Sequence, residues 1–250
     1  MEPSALRPSK PSLLERALAR CPGQCLVCRS WSRQRVCQLC LDRYARPALR
    51  CTSCGLRLPA ATLGGIRHAS PQCGRCLQQP PPLDRCIAAL DYAFPWDHLL
   101  LRYKFQQALH LGGALLQCLE AALDREQAQA PDLLLPVPLS AERLRERGYN
   151  QSLELARPLA RRRGLNCEAK LVLRLRDTAH QLKLPAEQRA ANVRHAFALE
   201  PQQAGRLRGA HVALLDDVMT TGATLHELAR LLRRAGATRI QAWVLARTAE

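Results

Sequence analysis

The sequence is poor in aromatic residues, in acidic residues and in long apolar runs, and each shortage excludes something. Ten aromatics in 250 residues are too few for a platform on which successive bases stack, so any grip on nucleic acid is expected to be electrostatic. Asp and Glu number 21 against 37 Lys and Arg, giving a formal net charge of +16, a balance compatible with a polyanionic partner or substrate. No apolar run approaches the roughly 18 residues that a membrane span needs, so no membrane insertion is expected. The opening residues Met1 to Lys10 are polar and broken by proline, with no apolar stretch behind their charges. No secretory signal is therefore expected, and the expected compartment is the cytoplasm. Nor does any residue demand the role of nucleophile or general base.

What is present is a core and a cysteine cluster. Hydrophobic residues make up 47% of the chain, enough for one large packed domain or two modest ones. Eight of the twelve cysteines form four Cys-x-x-Cys pairs: Cys25/Cys28, Cys37/Cys40, Cys51/Cys54 and Cys73/Cys76. In a chain without a secretion signal this pattern reads as zinc rather than disulfide. A Cys-x-x-Cys turn sets two sulfurs on one side of a knuckle, and two knuckles complete a tetrahedral Zn–S₄ site. Sequential pairing gives Cys25/28/37/40 and Cys51/54/73/76; the spacings of eight, ten and eighteen residues leave interleaved pairing open. Four cysteine ligands leave no position for a substrate, so two Zn²⁺ ions of structural type are expected. Each tetrathiolate site contributes a net −2, which lowers the formal charge from +16 to +12.

Along the chain, residues 11–20 suit a short helix capped by Ser12. Cysteine, arginine and turn residues then dominate to about Gln79, and the run Pro80-Pro81-Pro82 makes a stiff joint. Three segments follow: an N-terminal extension over 1–20, a cysteine module over 21–80, and an α/β domain over 83–250. In the last, apolar strands (Ile87 to Phe94, Leu133 to Leu139, His211 to Leu215, Ile240 to Leu245) alternate with helices (Trp96 to Phe105, Leu111 to Leu123, Asn150 to Arg163, Ala223 to Arg234). Continuous apolar strands separated by helices predict a parallel sheet flanked by helices.

The segment His211-Val-Ala-Leu-Leu-Asp-Asp-Val-Met-Thr-Thr-Gly-Ala-Thr224 carries the chemistry. A buried strand brings Asp216 and Asp217 to the carboxyl edge of the sheet, where ligands of open α/β sheets bind. The turn Thr220-Thr221-Gly222-Ala223-Thr224 then opens a helix, whose first amides and dipole suit a phosphate. The plainer account is a threonine-capped helix after a strand. Carboxylates beside a phosphate make sense if they accept sugar hydroxyls or help hold Mg²⁺ on a pyrophosphate. 5-Phosphoribosyl-1-pyrophosphate (PRPP) supplies all of these groups. Arg143, Arg147 and Arg189, with Arg145, are candidates for its pyrophosphate, since guanidinium forks match phosphate oxygens. Lys104, like any single arginine on a helix, is expected on a solvated face.

The Asp216 to Thr224 segment resembles the PRPP-binding motif of type I phosphoribosyltransferases. Pro136 to Leu139, the run from Arg143 through Arg147 to Gln151, Thr178 to Gln181, Arg189, Asn192 to Phe197 and the leading cysteine module are together similar to the ComF/GntX family of phosphoribosyltransferase-like proteins. That resemblance implies a type I phosphoribosyltransferase-like fold behind a double zinc ribbon. It implies ribose hydroxyls on Asp216 and Asp217, the 5′-phosphate in the Thr220–Thr224 cradle, and pyrophosphate near Pro136 to Leu139. The stretch from Arg174 to Asn192 would form a flap over the site. Two functions stay open: a PRPP-dependent transferase with an unread acceptor, and an accessory protein that binds single-stranded DNA during DNA uptake.

Overall fold

The computed structural model describes residues 23–59, 70–175 and 195–249. The expected helix over 11–20, the stretch Thr178 to Gln181, Arg189 and all but the first two residues of the expected flap lie outside the described residues. The chain forms two compact units, Met1–Tyr44 and Ala45–Glu250. This division falls between the two cysteine tetrads, whereas the polyproline joint had suggested a boundary at Pro80.

In the first unit, β1 (Gly23–Gln24) and β2 (Trp31–Ser32) pair antiparallel around the first knuckle, and α1 (Gln38–Tyr44) starts inside the second. Arg29 takes a left-handed φ of 64° there, and its amide donates to the Cys25 carbonyl at 2.9 Å to close the turn.

The second unit opens with the other two knuckles and the short helix α2 (Gly74–Gln78). It continues as β3 (Arg85–Asp91), α3 (Trp96–Phe105), α4 (Gly112–Arg125), β4 (Leu133–Pro136), α5 (Ala141–Arg147), α6 (Gln151–Arg163), β5 (Val172–Arg174), β6 (Phe197–Leu199), β7 (His211–Met219), α7 (Ala223–Arg234) and β8 (Arg239–Arg247). The main sheet has the strand order β3-β8-β7-β4, and every pair in it is parallel. A parallel sheet is covered on both faces, so its strands must be apolar throughout. Val212 to Leu215 on β7 and Ala242 to Ala246 on β8 are accordingly buried without alternation. α7 buries Leu225, Leu228, Ala229 and Leu232, the i, i+3, i+4, i+7 stripe of a helix laid on a sheet. α4 does the same with Leu115, Leu116, Leu119, Ala122 and Leu123. Among the described residues no helix is long and apolar enough to cross a membrane.

Several details differ from the sequence reading: the strand expected over Leu133 to Leu139 ends at Pro136, and the one expected over Ile87 to Phe94 runs Arg85–Asp91. β7 runs on to Met219 instead of ending at Leu215, because β8 is long enough to keep pairing beside it; Asp216 faces Val244 and Met219 faces Arg247. β5 and β6 form a small antiparallel pair of their own, an element that no periodicity announced.

Candidate functional site

β4 and β7 are neighbours in the sheet, and their carboxyl ends deliver two loops to one place. β4 leads through Val137 to Leu139 into α5, and β7 leads through Thr220 to Gly222 into α7. Between them lies an open cleft of about 480 Å³ lined by Lys104, Arg143, Arg147, Gln151, Ser152, Arg174, Asp216, Asp217 and Thr224. A hollow of about 250 Å³ adjoins it, lined by Asp216, Thr220, Gly222, Ala223 and Thr224 among others.

The two carboxylates are held differently. Asp217 is buried; its Oδ1 accepts from the Val218 amide at 2.8 Å, and its Oδ2 lies 2.8 Å from Lys104 Nζ. Asp216 Oδ1 accepts from Ser152 Oγ at 3.2 Å and from the Asp217 amide at 2.9 Å. Burial, reinforced by the Asp217 charge, pushes the Asp216 carboxyl up to about 7. Lys104 is thus not on a solvated face. It follows Trp96 and Leu100 at helical spacing, on the stripe of α3 that faces inward, and its ammonium compensates a carboxylate that burial would otherwise penalise.

Gly222 shapes the turn. Its φ is +80°, a conformation that favours glycine, and a Cβ there would stand 2.5 Å from Met219 Cε and 2.8 Å from His226 Nε2, so both side chains would have to shift to admit one. Thr220, Gly222, Ala223 and Thr224 line the hollow. Thr221 does not. Its Oγ1 accepts from the Ala223 amide at 3.4 Å, a brace inside the turn. The first amides of α7 have no acceptor one turn back in the helix, which leaves the positive end of its dipole at the hollow.

The arginines divide by helical geometry. Ser140 caps α5 by accepting from the Arg143 amide at 3.3 Å, and Gly148 ends it in the left-handed conformation at φ 77°. Arg143 and Arg147, four apart, share the face toward the cleft. Arg145 points elsewhere and is exposed. Arg147 is buried with its guanidinium 4.7 Å from the Phe105 ring centroid. Its Nε and Gln151 Oε1 have no hydrogen-bond partner among the described residues. A buried cation with an unfilled donor, set in an open cleft, is equipped to meet an anion. Asn150 caps α6 through Oδ1 and donates Nδ2 to the Val137 carbonyl at 3.0 Å, which ties the β4 loop to the helix. Arg189 lies outside the described residues.

Ser152 went unsingled in the sequence, while Gln151 and Arg174 entered only as the end of a motif run and the start of the expected flap. For Ser152 a signal existed. It occupies the first place of the stripe Ser152, Leu155, Ala156, Leu159, which is buried throughout, and a hydroxyl on such a stripe needs a partner. For Arg174 the resemblance alone, with its expected flap, pointed toward the site.

The cysteines gather sequentially, which settles the pairing. The sulfurs of Cys25, Cys28, Cys37 and Cys40 lie within 4.8 Å of one another, as do those of Cys51, Cys54, Cys73 and Cys76. A tetrahedral ion with Zn–S near 2.3 Å spaces its sulfurs about 3.8 Å apart. The separations of 3.9 Å for Cys25–Cys40, 3.6 Å for Cys28–Cys37 and 3.7 Å for Cys54–Cys73 match that spacing. Both tetrads could hold zinc.

Residues 151–250 match the phosphoribosyl transferase domain family. The chain is 38% identical over 234 residues to the DNA utilization protein YhgH of Salmonella typhimurium, covering 91% of this chain and 98% of that one. It is 32% identical over 231 residues to competence protein F of Haemophilus influenzae, covering 90% and 96%. With competence protein ComFC of Bacillus subtilis the identity is 27% over 241 residues, covering 90% and 95%. A parallel sheet with flanking helices, a phosphoribosyl transferase match over residues 151–250 and relatives of this kind along nearly its whole length place the chain in the ComF family of phosphoribosyltransferase-like proteins.

Proposed function

We propose that the cleft between α5 and the β7–α7 turn binds PRPP with Mg²⁺, as a phosphoribosyltransferase whose acceptor is not legible in the residues. The observation that carries this reading is the convergence on one cleft of paired carboxylates, a glycine-dependent helix N-terminus and the cations Lys104, Arg143 and Arg147. In this reading the Thr220–Thr224 turn holds the 5′-phosphate, and Thr221 stiffens it from within. Asp216 and Asp217 accept the ribose hydroxyls. Arg143 and Arg147, joined by Arg189, take the pyrophosphate. Carboxylate oxygens are the donors Mg²⁺ prefers, so Asp216 and Asp217 suit the ion that PRPP brings; the ion would neutralise charge on the departing pyrophosphate. The chain itself positions and stabilises: guanidinium groups meet charge as it builds on the leaving group, and the carboxylates face a sugar carbon that turns cationic. Such chemistry needs no nucleophilic side chain.

Titration calorimetry with PRPP and Mg²⁺ tests the reading. Asp217→Asn removes a charged acceptor worth about 1.5–3 kcal/mol per hydrogen bond, so binding should weaken roughly ten- to a hundredfold. Unchanged affinity in the Asp216→Asn, Asp217→Asn double variant, with the fold intact, would show the site to be elsewhere.

A second reading is supported by what the relatives are called, DNA utilization protein and competence protein. In it the basic chain, at +16 before any metal is bound, binds single-stranded DNA as an accessory protein in DNA uptake. Such binding should be sequence-tolerant, with each neutralised phosphate contributing a slope of about −0.7 in log K against log salt. A salt-insensitive, sequence-selective complex would contradict it.

A further inference from the structure

The second cysteine tetrad belongs to the same compact unit as the cleft, and the contacts between them are specific. The Cys51–Gly55 knuckle lies against β3. The Cys86 amide donates to the Thr52 carbonyl at 2.8 Å, and a Cβ on Gly55 would sit 3.0 Å from Ala88 Cβ and 3.1 Å from Cys86 Sγ. Cys86 Sγ in turn lies 3.7 Å from the sulfur of Met219, the last residue of β7. One side chain bridges the knuckle and the turn directly. Arg247, at the end of β8 and only 2% exposed, donates Nε to the Cys54 carbonyl at 3.0 Å. Its Nη1 donates to the Thr220 carbonyl, more distantly to the Met219 carbonyl at 3.5 Å, and to the Thr248 carbonyl at 2.8 Å.

We propose that Arg247 is a positioning residue that couples the Cys51/54/73/76 site to the Thr220–Thr224 turn, so that metal occupancy at the tetrad sets the order of the turn and its hold on a phosphate. Three physical points support this. A buried guanidinium must be compensated, and four thiolates around a divalent zinc ion carry a net −2 beside it. The rigid fork of arginine reaches two backbone segments at once, which the single ammonium of lysine cannot do. The carbonyls it holds belong to Cys54, a ligand position, and to Thr220, the first residue of the turn. The chain separation of 193 residues between Cys54 and Arg247 makes this a tertiary link with no local substitute.

The phosphate arm of the idea rests on the reading of the turn given above; the order arm does not, and the experiment keeps them apart. Five full-length proteins are compared: parent, Arg247→Lys, Cys73→Ser, the double variant of these two, and Cys37→Ser. Each is measured for zinc content, for amide hydrogen exchange by mass spectrometry over 216–223 and over β3, and for ribose 5-phosphate affinity. Arg247→Lys should keep the parent's zinc content yet exchange about tenfold faster in 216–223 and bind ribose 5-phosphate about tenfold more weakly. Cys73→Ser should lose the ion of the second tetrad and show the same two changes. The Cys73→Ser, Arg247→Lys double variant should be no worse than either single one. Cys37→Ser should lose an ion with 216–223 unchanged. If Cys73→Ser loosens β3 as well, the comparison rests on Arg247→Lys, which keeps every ligand. The coupling is overturned if Arg247→Lys leaves 216–223 at the parent's exchange rate, if Cys37→Ser disturbs it equally, or if the double variant is additive. Faster exchange in 216–223 combined with no ribose 5-phosphate binding by any protein, parent included, would keep the coupling and remove the phosphate reading.

Discussion

Asp216 shows how its surroundings can hold a single carboxyl far from its ordinary titration range. Its carboxyl titrates near 3.8 in a solvated chain and is pushed up to about 7 in the folded one, first by burial and then by the charge of Asp217. Below about pH 4 both states hold the proton, and the folded form keeps its full stability. Between about 4 and 7 the unfolded chain releases the proton while the folded one retains it, so stability falls as pH rises through that window. Asp216→Asn removes this term. Its melting temperature should exceed the parent's above pH 7, and the advantage should vanish toward pH 4; a variant less stable than the parent at about pH 8 would refute the account. The same substitution should cost ligand affinity, which is the usual exchange between stability and function at a site built around a buried charge. Lys104 offsets the cost of burial at the neighbouring position, where it sits 2.8 Å from Asp217.

At the scale of elements, the β7–α7 turn has the narrowest tolerance. Gly222→Ala asks a Cβ to share space with Met219 and His226 at a φ of +80°. The backbone strain alone is on the order of 1–3 kcal/mol. The turn should relax by flattening, with a lower melting temperature and at least a tenfold weaker hold on ribose 5-phosphate, read by thermal melts and calorimetry. This turn was legible in the sequence because hydroxyls, glycine and paired aspartates stand at fixed spacing within nine residues. Helices such as α3 and α7 were legible to the residue because their apolar stripes are regular. Lys104, Gln151, Ser152 and Arg174 were not, since they reach the cleft from three other elements that only the tertiary fold gathers there. Arg145 and Arg147 were equal candidates on paper; where α5 starts and stops separated them.

At the scale of the molecule, the four Cys-x-x-Cys pairs foretold two tetrads, and spacing alone could not pair them. The contact division between Tyr44 and Ala45 was equally hidden, because the residues that weld the second tetrad to the sheet lie far along the chain. Arg50 reaches Asp91 at 2.8 Å, and Arg247 reaches Cys54 at 3.0 Å. Metal analysis of protein purified without chelator should find two zinc ions per chain. Fewer than one would remove the tetrads as zinc sites. Cys51→Ser should lower the melting temperature of the second unit, since metal binding at so small a core is folding energy.

The strand order carries a consequence for synthesis. β8 is made after β3, β4 and β7, yet it lies between β3 and β7. Until residue 247 has left the ribosome, β3 has no partner in the sheet and β7 is paired on one side only, each with a bare edge open to other nascent chains. The four sulfurs of the second tetrad, by contrast, lie within 26 residues and are all present before β3 emerges. The growing chain can therefore close that metal clip early, while the sheet waits for its centre to arrive last.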